Sequence, residues 1–215
     1  MKQEVLRYLG YNNQLPDEKT SVLVDSCLEE IAGLAEVRST HRFYEIKKAE
    51  GYLALKGTNL ILAGTDITRH LAHSSVCLLM AVTLGHKVDC KIRYYQKTDF
   101  SRALVLDACA TAAIEEACNN VVQDLAQDLL KAGQKLTTRY SPGYGDFPLE
   151  IQSRFVETIE ADRSIGLTVT SASILIPRKS VTAVAGVIDL DQDLTPPTCL
   201  DCRQYGQCHY SKGVE

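Results

Sequence analysis

The chain has 215 residues, of which 45% are hydrophobic, and its 23 basic and 27 acidic residues give a net charge of −4. This length suffices for one domain with a sizeable core. An acidic chain lacks the basic face that phosphate binding requires, so we expect no nucleic-acid partner. No apolar run reaches the ~18 residues of a membrane span, and the first residues show no signal-peptide core. We therefore expect no membrane contact and a cytoplasmic location.

The first half of the chain predicts a helix, a small antiparallel meander and a second helix. Apolar residues recur at helical spacing after Pro16, and a short alternating stretch follows them. Thr65 and Asp66 offer capping for a helix that ends at Gly85. The predicted elements are a helix over 17–37, strands over 42–47, 52–55 and 60–62, and a helix over 65–85 that carries Ile67, Leu71, Leu78, Met80, Ala81 and Leu84.

One long helix dominates the second half. Asp99 caps an alanine-rich apolar pattern that Gly133 stops, and some thirty residues of helix span roughly 50 Å. The other predicted elements are short helices over 87–96 and 149–160 and strands over 135–140, 167–176 and 181–188. The predicted fold class is α+β, an antiparallel β-sheet with flanking helices, including one long central helix. Residues 1–190 form the predicted domain, and residues 191–215 form a linker and a Cys-rich tail.

Residues 139–148 read RYSPGYGDFP and combine a cation, two glycines and three aromatic rings. The guanidinium of Arg139 is a planar fork that can hold a carboxylate through two parallel hydrogen bonds. Gly143 and Gly145 accept positive φ and let a ligand approach the backbone closely. The aromatic rings offer faces that attract a cation. Two interpretations follow, an ordinary turn or a pocket for a small carboxylate-containing ligand.

The C-terminal tail carries the second chemical signal. Cys199 and Cys202 are three positions apart and can chelate one ion, and Cys208 can close toward the same point. This spacing predicts one metal centre, an iron–sulfur cluster or a zinc ion, whereas disordered thiols or a disulfide are the alternatives. The fourth ligand is open between His209 and a cysteine from elsewhere, such as Cys27 or Cys90.

The Arg-x-x-Pro-Gly-Tyr run at 139–144 resembles the S-adenosylmethionine-binding motif in the activation (reactivation) domain of cobalamin-dependent methionine synthase. Upstream, residues 107–115 (DACATAAIE) resemble that family's helical segment ending in a ligand-binding glutamate. Residues 83–85 (TLG) resemble the end of the preceding helix in stand-alone relatives. The resemblance covers most of residues 1–190. Stand-alone relatives also end in a Cys-rich tail, which the fused domain lacks.

The resemblance implies a set of ligand-binding residues. Arg139 is expected to bind the carboxylate of S-adenosylmethionine, and Glu115 its positive end, although a solvated helix-face glutamate is the alternative at position 115. The backbone of Ser141, Gly143 and Tyr144 is expected to form the contact surface, with Tyr144 facing the sulfonium. The chain departs from the fused domain's pattern at Gly145, where proline is frequent.

The function that the resemblance implies is reductive methylation by a stand-alone reactivation module, as a component of cobalamin-dependent methionine synthase. An oxidised cobalamin on a partner methionine synthase or corrinoid protein receives an electron from a low-potential donor and then the methyl group. Nothing in the chain resembles the modules that bind cobalamin, homocysteine or folate. The alternatives are a metal (iron–sulfur or zinc) accessory or redox protein without a methyl-transfer role, and a scaffold with structural zinc.

Overall fold

The structure, a computed structural model, describes residues 1–11 and 14–192, so the predicted metal ligands Cys199, Cys202 and Cys208 lie outside the described residues. Its strands are β1 (Arg38–Ala49), β2 (Tyr52–Leu55), β3 (Ile61–Ala63), β4 (Val76–Thr83), β5 (Gln134–Leu136), β6 (Thr168–Val169), β7 (Leu175–Ile176) and β8 (Ser180–Asp189). Six strands form one antiparallel sheet in the order β3-β2-β1-β4-β8-β5, and β6 and β7 form a separate hairpin.

The helices flank this sheet, which confirms the predicted α+β class. They are α1 (Lys2–Tyr8), α2 (Glu18–Leu34), α3 (Thr65–His70), α4 (His86–Thr98), α5 (Phe100–Lys131), α6 (Gln152–Thr158) and α7 (Ala161–Ile165), and a 3₁₀ turn over Leu149–Ile151 precedes α6. Among the described residues, no helix is both long and apolar enough to cross a membrane.

Strand β4 is the centre of the core because both of its faces are buried. Leu78, Met80 and Val82 belong to the apolar cluster under α1, α2, α4 and α5. Cys77, Leu79 and Ala81 belong to a second cluster, which also contains residues of β2, β3, α3, α6 and α7. The sheet therefore separates two apolar layers.

The predicted helix over 65–85 is wrong beyond its first turns. Helix α3 ends at His70, and residues 76–83 form β4 instead. A strand that is buried on both faces reads as a continuous apolar run, which periodicity alone does not distinguish from a buried helix. The segment 83–85, whose resemblance implied a helix end, consequently lies at the end of a strand.

The predicted strand over 167–176 is also wrong. It is a hairpin of two short strands, β6 and β7, closed by a turn in which Thr170 N–H donates to the carbonyl of Ile174. Ser173 takes a positive φ of 59° in this turn. A tight turn interrupts the β-rich composition here without a glycine or proline to mark it.

Helix α5 confirms the predicted long central helix. Asp99 caps it by accepting a hydrogen bond from the N–H of Arg102 at 3.0 Å, and its 32 residues span about 48 Å. Alanines 103, 108, 110, 112 and 117 of this helix are buried. Their small side chains let the helix lie close to its neighbours in the core.

One edge of the sheet is only partly covered, and this positions the candidate site. Strand β5 pairs with residues 187–189 of β8, and a single further bridge joins Tyr140 to Val184. Beyond that bridge, residues 180–182 of β8 pair with β4 but with no described strand on the other side. The chain after Tyr140 loops away from the sheet edge and leaves a cleft there.

Candidate functional site

A cleft of about 550 Å³ lies at this edge of β8. Helix α5, the segment after β5, the start of α6, Leu175 and residues 180–182 contribute to it. Four of the five predicted ligand-binding residues line it together, namely Glu115, Arg139, Ser141 and Tyr144. A second groove of about 610 Å³, between the β2–β3 turn and α6, holds none of them.

Among the described residues, the side chain of Arg139 is held by hydrogen bonds to helix α5. Its Nη2 donates to Glu115 Oε2 at 3.0 Å and to Asn119 Oδ1 at 2.8 Å. Neither Nε nor Nη1 donates to any of the described residues. The guanidinium is thus anchored against α5, while donors on its remaining edges are available to a carboxylate in the cleft.

Glu115 lies beside Arg139 rather than apart from it, and its side chain is 41% exposed. The Oε1 atom accepts no hydrogen bond from the described residues, so Glu115 can keep its bond to Arg139 and still accept from an ammonium group. Desolvation, followed by the negative charge of Glu115, raises the pKa of Tyr144, so its hydroxyl stays protonated at neutral pH. The cation of Arg139 and the anion of Glu115 therefore lie next to the phenol of Tyr144 in one cleft.

The loop backbone is closed on itself by three hydrogen bonds. Gly143 N–H donates to the carbonyl of Phe147 at 2.8 Å, Tyr144 N–H to that of Ser141 at 3.1 Å, and Phe147 N–H to that of Tyr144 at 2.9 Å. The N–H groups of Gly143 and Tyr144 are thereby occupied. A ligand that touches the backbone of these two residues does so through Cα atoms and carbonyl oxygens.

Two aspartates clasp the loop to helix α3. The Asp146 carboxylate accepts from Thr65 N–H at 2.8 Å and from Asp66 N–H at 2.9 Å, so it caps the start of α3. In return, Asp66 Oδ2 accepts from Asp146 N–H at 3.2 Å. Gly145 has a φ of +55°, and a Cβ there would collide with the Asp66 carboxylate. The absence of a side chain at Gly145 therefore allows the close contact between the loop and Asp66 of helix α3.

The three aromatic rings of the loop have separate roles. Phe147 is 1% exposed in the core, and Tyr140 packs beside it and stacks on His70 with ring centroids 5.2 Å apart. Burial lowers the pKa of His70, whose Nε2 lies 2.8 Å from the carbonyl of Thr138. Only Tyr144, at 58% exposure, lines the cleft and can offer a ring face to a cation.

Sequence reasoning missed several polar residues at this site. Asn119 lies one helical turn after Glu115, a spacing that could have identified it. Gln152 and Thr182 also line the cleft and hydrogen-bond to each other, although they are 30 residues apart. No local signal in the sequence links these two positions.

The described residues contain no group of three or more His, Cys, Asp or Glu side chains that could hold a metal ion. Of the two cysteines predicted as possible fourth ligands, Cys27 is buried in the core and Cys90 is exposed. The predicted centre at Cys199, Cys202 and Cys208 lies beyond residue 192.

Neither the protein-family models nor the curated proteins match this sequence. Among solved structures, the chain is similar to the crystal structure of the MetH reactivation domain bound to AdoHcy (S-adenosylhomocysteine), with a TM-score of 0.61 and 13% sequence identity. The match covers 86% of this chain and 71% of the other chain. At this identity, the likeness shows the fold alone.

Proposed function

We propose that this chain binds S-adenosylmethionine in the cleft at the β8 edge and acts as a reactivation module for the cobalamin of a partner protein. The observation that carries the proposal is the convergence of Arg139 and Glu115, an ion pair at 3.0 Å, beside Tyr144. The fold is similar to that of a domain solved with AdoHcy, the product that S-adenosylmethionine becomes when it loses its methyl group.

The charges of the cleft suit the amino-acid end of this ligand. The carboxylate can accept from Nε or from Nη1 of Arg139, two open donors on different sides of the guanidinium, and the ammonium can donate to the open oxygen of Glu115. Both groups keep their existing hydrogen bonds in this arrangement, so ligand binding leaves no buried charge unpaired. The ring of Tyr144 can face the sulfonium, because aromatic faces attract cations.

The proposed reaction requires this chain mainly to position S-adenosylmethionine. The partner's cobalamin is the methyl acceptor, receives an electron from a low-potential donor and supplies the nucleophile. This chain need only hold the sulfonium methyl in line with that nucleophile. No residue of the chain is assigned as an acid, base or nucleophile.

Exposed apolar side chains next to the cleft support a partner that docks transiently. Tyr144 is 58% exposed, Leu149 40%, Ile174 50% and Ile176 41%. Leu149 lies against the ligand loop at Gly143, and the two isoleucines flank Leu175, which lines the cleft. Apolar side chains grouped around a polar site are typical of an interaction surface.

Calorimetric titration with S-adenosylmethionine and AdoHcy tests the first half of the proposal. The second half is tested by mixing the chain with a cobalamin methyltransferase in its inactive cob(II) state, a low-potential reductant and S-adenosylmethionine, and by following the cobalamin spectrum. We expect faster methylcobalamin formation with the parent and little acceleration with Arg139→Ala. Ile174→Asp should bind the ligand normally and reactivate slowly.

The outcomes separate the two halves. Absence of any ligand binding by the parent would contradict the proposal and favour the metal accessory or redox alternative. Tight ligand binding without reactivation, or equal reactivation by Arg139→Ala and the parent, would retain the cleft as a ligand site and refute the reactivation role.

A further inference from the structure

Gln152, the first residue of α6, is a polar side chain buried at the cleft. It is 5% exposed, and its Oε1 accepts a hydrogen bond from Thr182 Oγ1 at 2.7 Å. Thr182 is itself 2% exposed on β8. Both residues line the cleft, on elements that carry none of the sequence-predicted ligand residues.

The amide nitrogen of Gln152 donates to none of the described residues. This nitrogen is not among the fully buried polar atoms that lack a partner, so water or a ligand in the cleft can accept its hydrogen bond. The oxygen of the same amide keeps a second lone pair after accepting from Thr182. Gln152 therefore presents a donor and an acceptor side by side to whatever occupies the cleft.

The proposed site for the amino-acid end of the ligand lies elsewhere, because Arg139 and Glu115 pair with each other and have no hydrogen bond to Gln152. The adenine base carries an acceptor nitrogen, N1, beside the amino donor at C6. A carboxamide can match this N1 edge through two parallel hydrogen bonds, with the same donor–acceptor pairing that glutamine makes with the N7 edge of adenine in nucleic acids.

The geometry points to Gln152 as the residue that recognises the purine base of the ligand, with Thr182 as the positioning residue that orients its amide. This inference rests on the proposed ligand. It assigns the selectivity for adenine over an oxo-purine to one buried side chain at the junction of α6 and β8. Glu115, which holds Arg139, and Gln152 then lie on helices that pack in different apolar layers of the fold, because α5 belongs to one layer and α6 to the other.

Titration with AdoHcy and with S-inosylhomocysteine tests the inference. In the second compound an oxo group replaces the amino group, and the adjacent ring nitrogen carries a hydrogen, so the donor and acceptor are exchanged. We expect the parent to bind AdoHcy roughly five- to fiftyfold more tightly. Gln152→Leu, which removes the amide and keeps the approximate volume, should weaken AdoHcy and bring the ratio close to one.

Gln152→Glu is the second variant, because a carboxylate keeps the side-chain shape but has no donor. It should weaken AdoHcy and bring the ratio close to one, because each base then donates one hydrogen bond to the carboxylate and sets one acceptor against it. Arg139→Ala is the matched control on the other side of the cleft, and it should weaken both compounds and preserve their ratio. Thermal unfolding of each variant checks that the fold is retained.

An unchanged ratio in Gln152→Leu and Gln152→Glu would overturn this inference and leave the proposed function in place. A parent protein that binds neither compound would refute the proposed function and the inference with it. A uniform loss of both compounds in both Gln152 variants would show that Gln152 supports the cleft and reads no base.

Discussion

The two sides of the cleft hold their polar groups by different means. On α5, Glu115 and Asn119 are one helical turn apart, and the helix itself places them on one face. On the loop side, the chain from Arg139 to Asp146 takes its shape from residues about 80 positions away, chiefly through the contacts of Asp146 with Thr65 and Asp66. Substitutions on α5 should therefore affect binding alone, whereas substitutions in the loop should affect binding and stability together.

The largest effect is expected where the two sides meet, at Arg139. Arg139→Ala should weaken S-adenosylmethionine binding by about 2 to 4 kcal/mol, because the ligand carboxylate loses its charged partner. Arg139→Lys should give an intermediate loss, since it keeps the charge and loses the planar fork. Calorimetry is the measurement, and Arg163→Ala, at a side chain 81% exposed in α7, is the control. Equal affinity of Arg139→Ala and the parent would remove Arg139 from the site.

Gly143→Val tests the backbone of the loop. Gly143 has a φ of +93°, and a Cβ there would lie 3.3 Å from Leu149 Cδ1 at the cleft. We expect binding to weaken by about 1 to 3 kcal/mol, because the side chain strains the loop and obstructs the ligand. Gly51→Val is the matched control, since Gly51 has a φ of +78° and no neighbour within 4 Å of an added Cβ. Gly51→Val should lower the free energy of unfolding through a similar backbone strain and keep the affinity for S-adenosylmethionine. An equal loss of affinity in Gly51→Val would contradict a local effect of Gly143 on the ligand.

Asp146→Ala tests the hydrogen bonds that join the ligand loop to helix α3. The substitution leaves two N–H groups at the start of α3 without their acceptor, so we expect a loss of about 1 to 2 kcal/mol in the free energy of unfolding. Ligand binding should also weaken, because the loop loses its anchor. Glu115→Gln should weaken binding with little change in the urea midpoint, which is the behaviour expected of the α5 side. Normal stability and ligand binding of Asp146→Ala would show that the loop keeps its shape without the hydrogen bonds of Asp146.

Deletion of residues 196–215 is expected to have the smallest effect on the cleft. We propose that Cys199, Cys202 and Cys208 hold one metal centre that is separate from the ligand site. The truncated chain should lose the metal and should bind S-adenosylmethionine as the parent does. Visible absorption after anaerobic purification and metal analysis measure the metal content. Joint loss of metal and ligand binding would indicate that the tail takes part in the cleft.

The candidate site could be predicted only in part from the sequence. The sequence predicts Arg139, Glu115, Ser141 and Tyr144 as ligand-binding residues, and these four line one cleft in the structure. Helical spacing from Glu115 also points to Asn119. Gln152 and Thr182 could not be predicted, because their relationship exists only through the packing of α6 on β8.

The sequence by itself determined the elements whose stability is local. Helix α5 could be predicted from Asp99 to its end because an N-cap, an apolar stripe and a terminal glycine all act within a few residues. The α+β class followed from such elements and from the meander of β1, β2 and β3, whose alternation needs only one buried face.

Only the tertiary structure decided the elements that depend on distant contacts. Strand β4 is extended because β1 and β8 pair with it and because both of its faces are buried, and an apolar run carries no sign of that partnership. The ligand loop is similar in this respect, since Asp146 finds its hydrogen-bond donors in α3 and β5 ends early enough to leave the β8 edge open. Hydrogen bonds between segments some 80 residues apart have no spacing rule, so folding alone brings the groups of this cleft together.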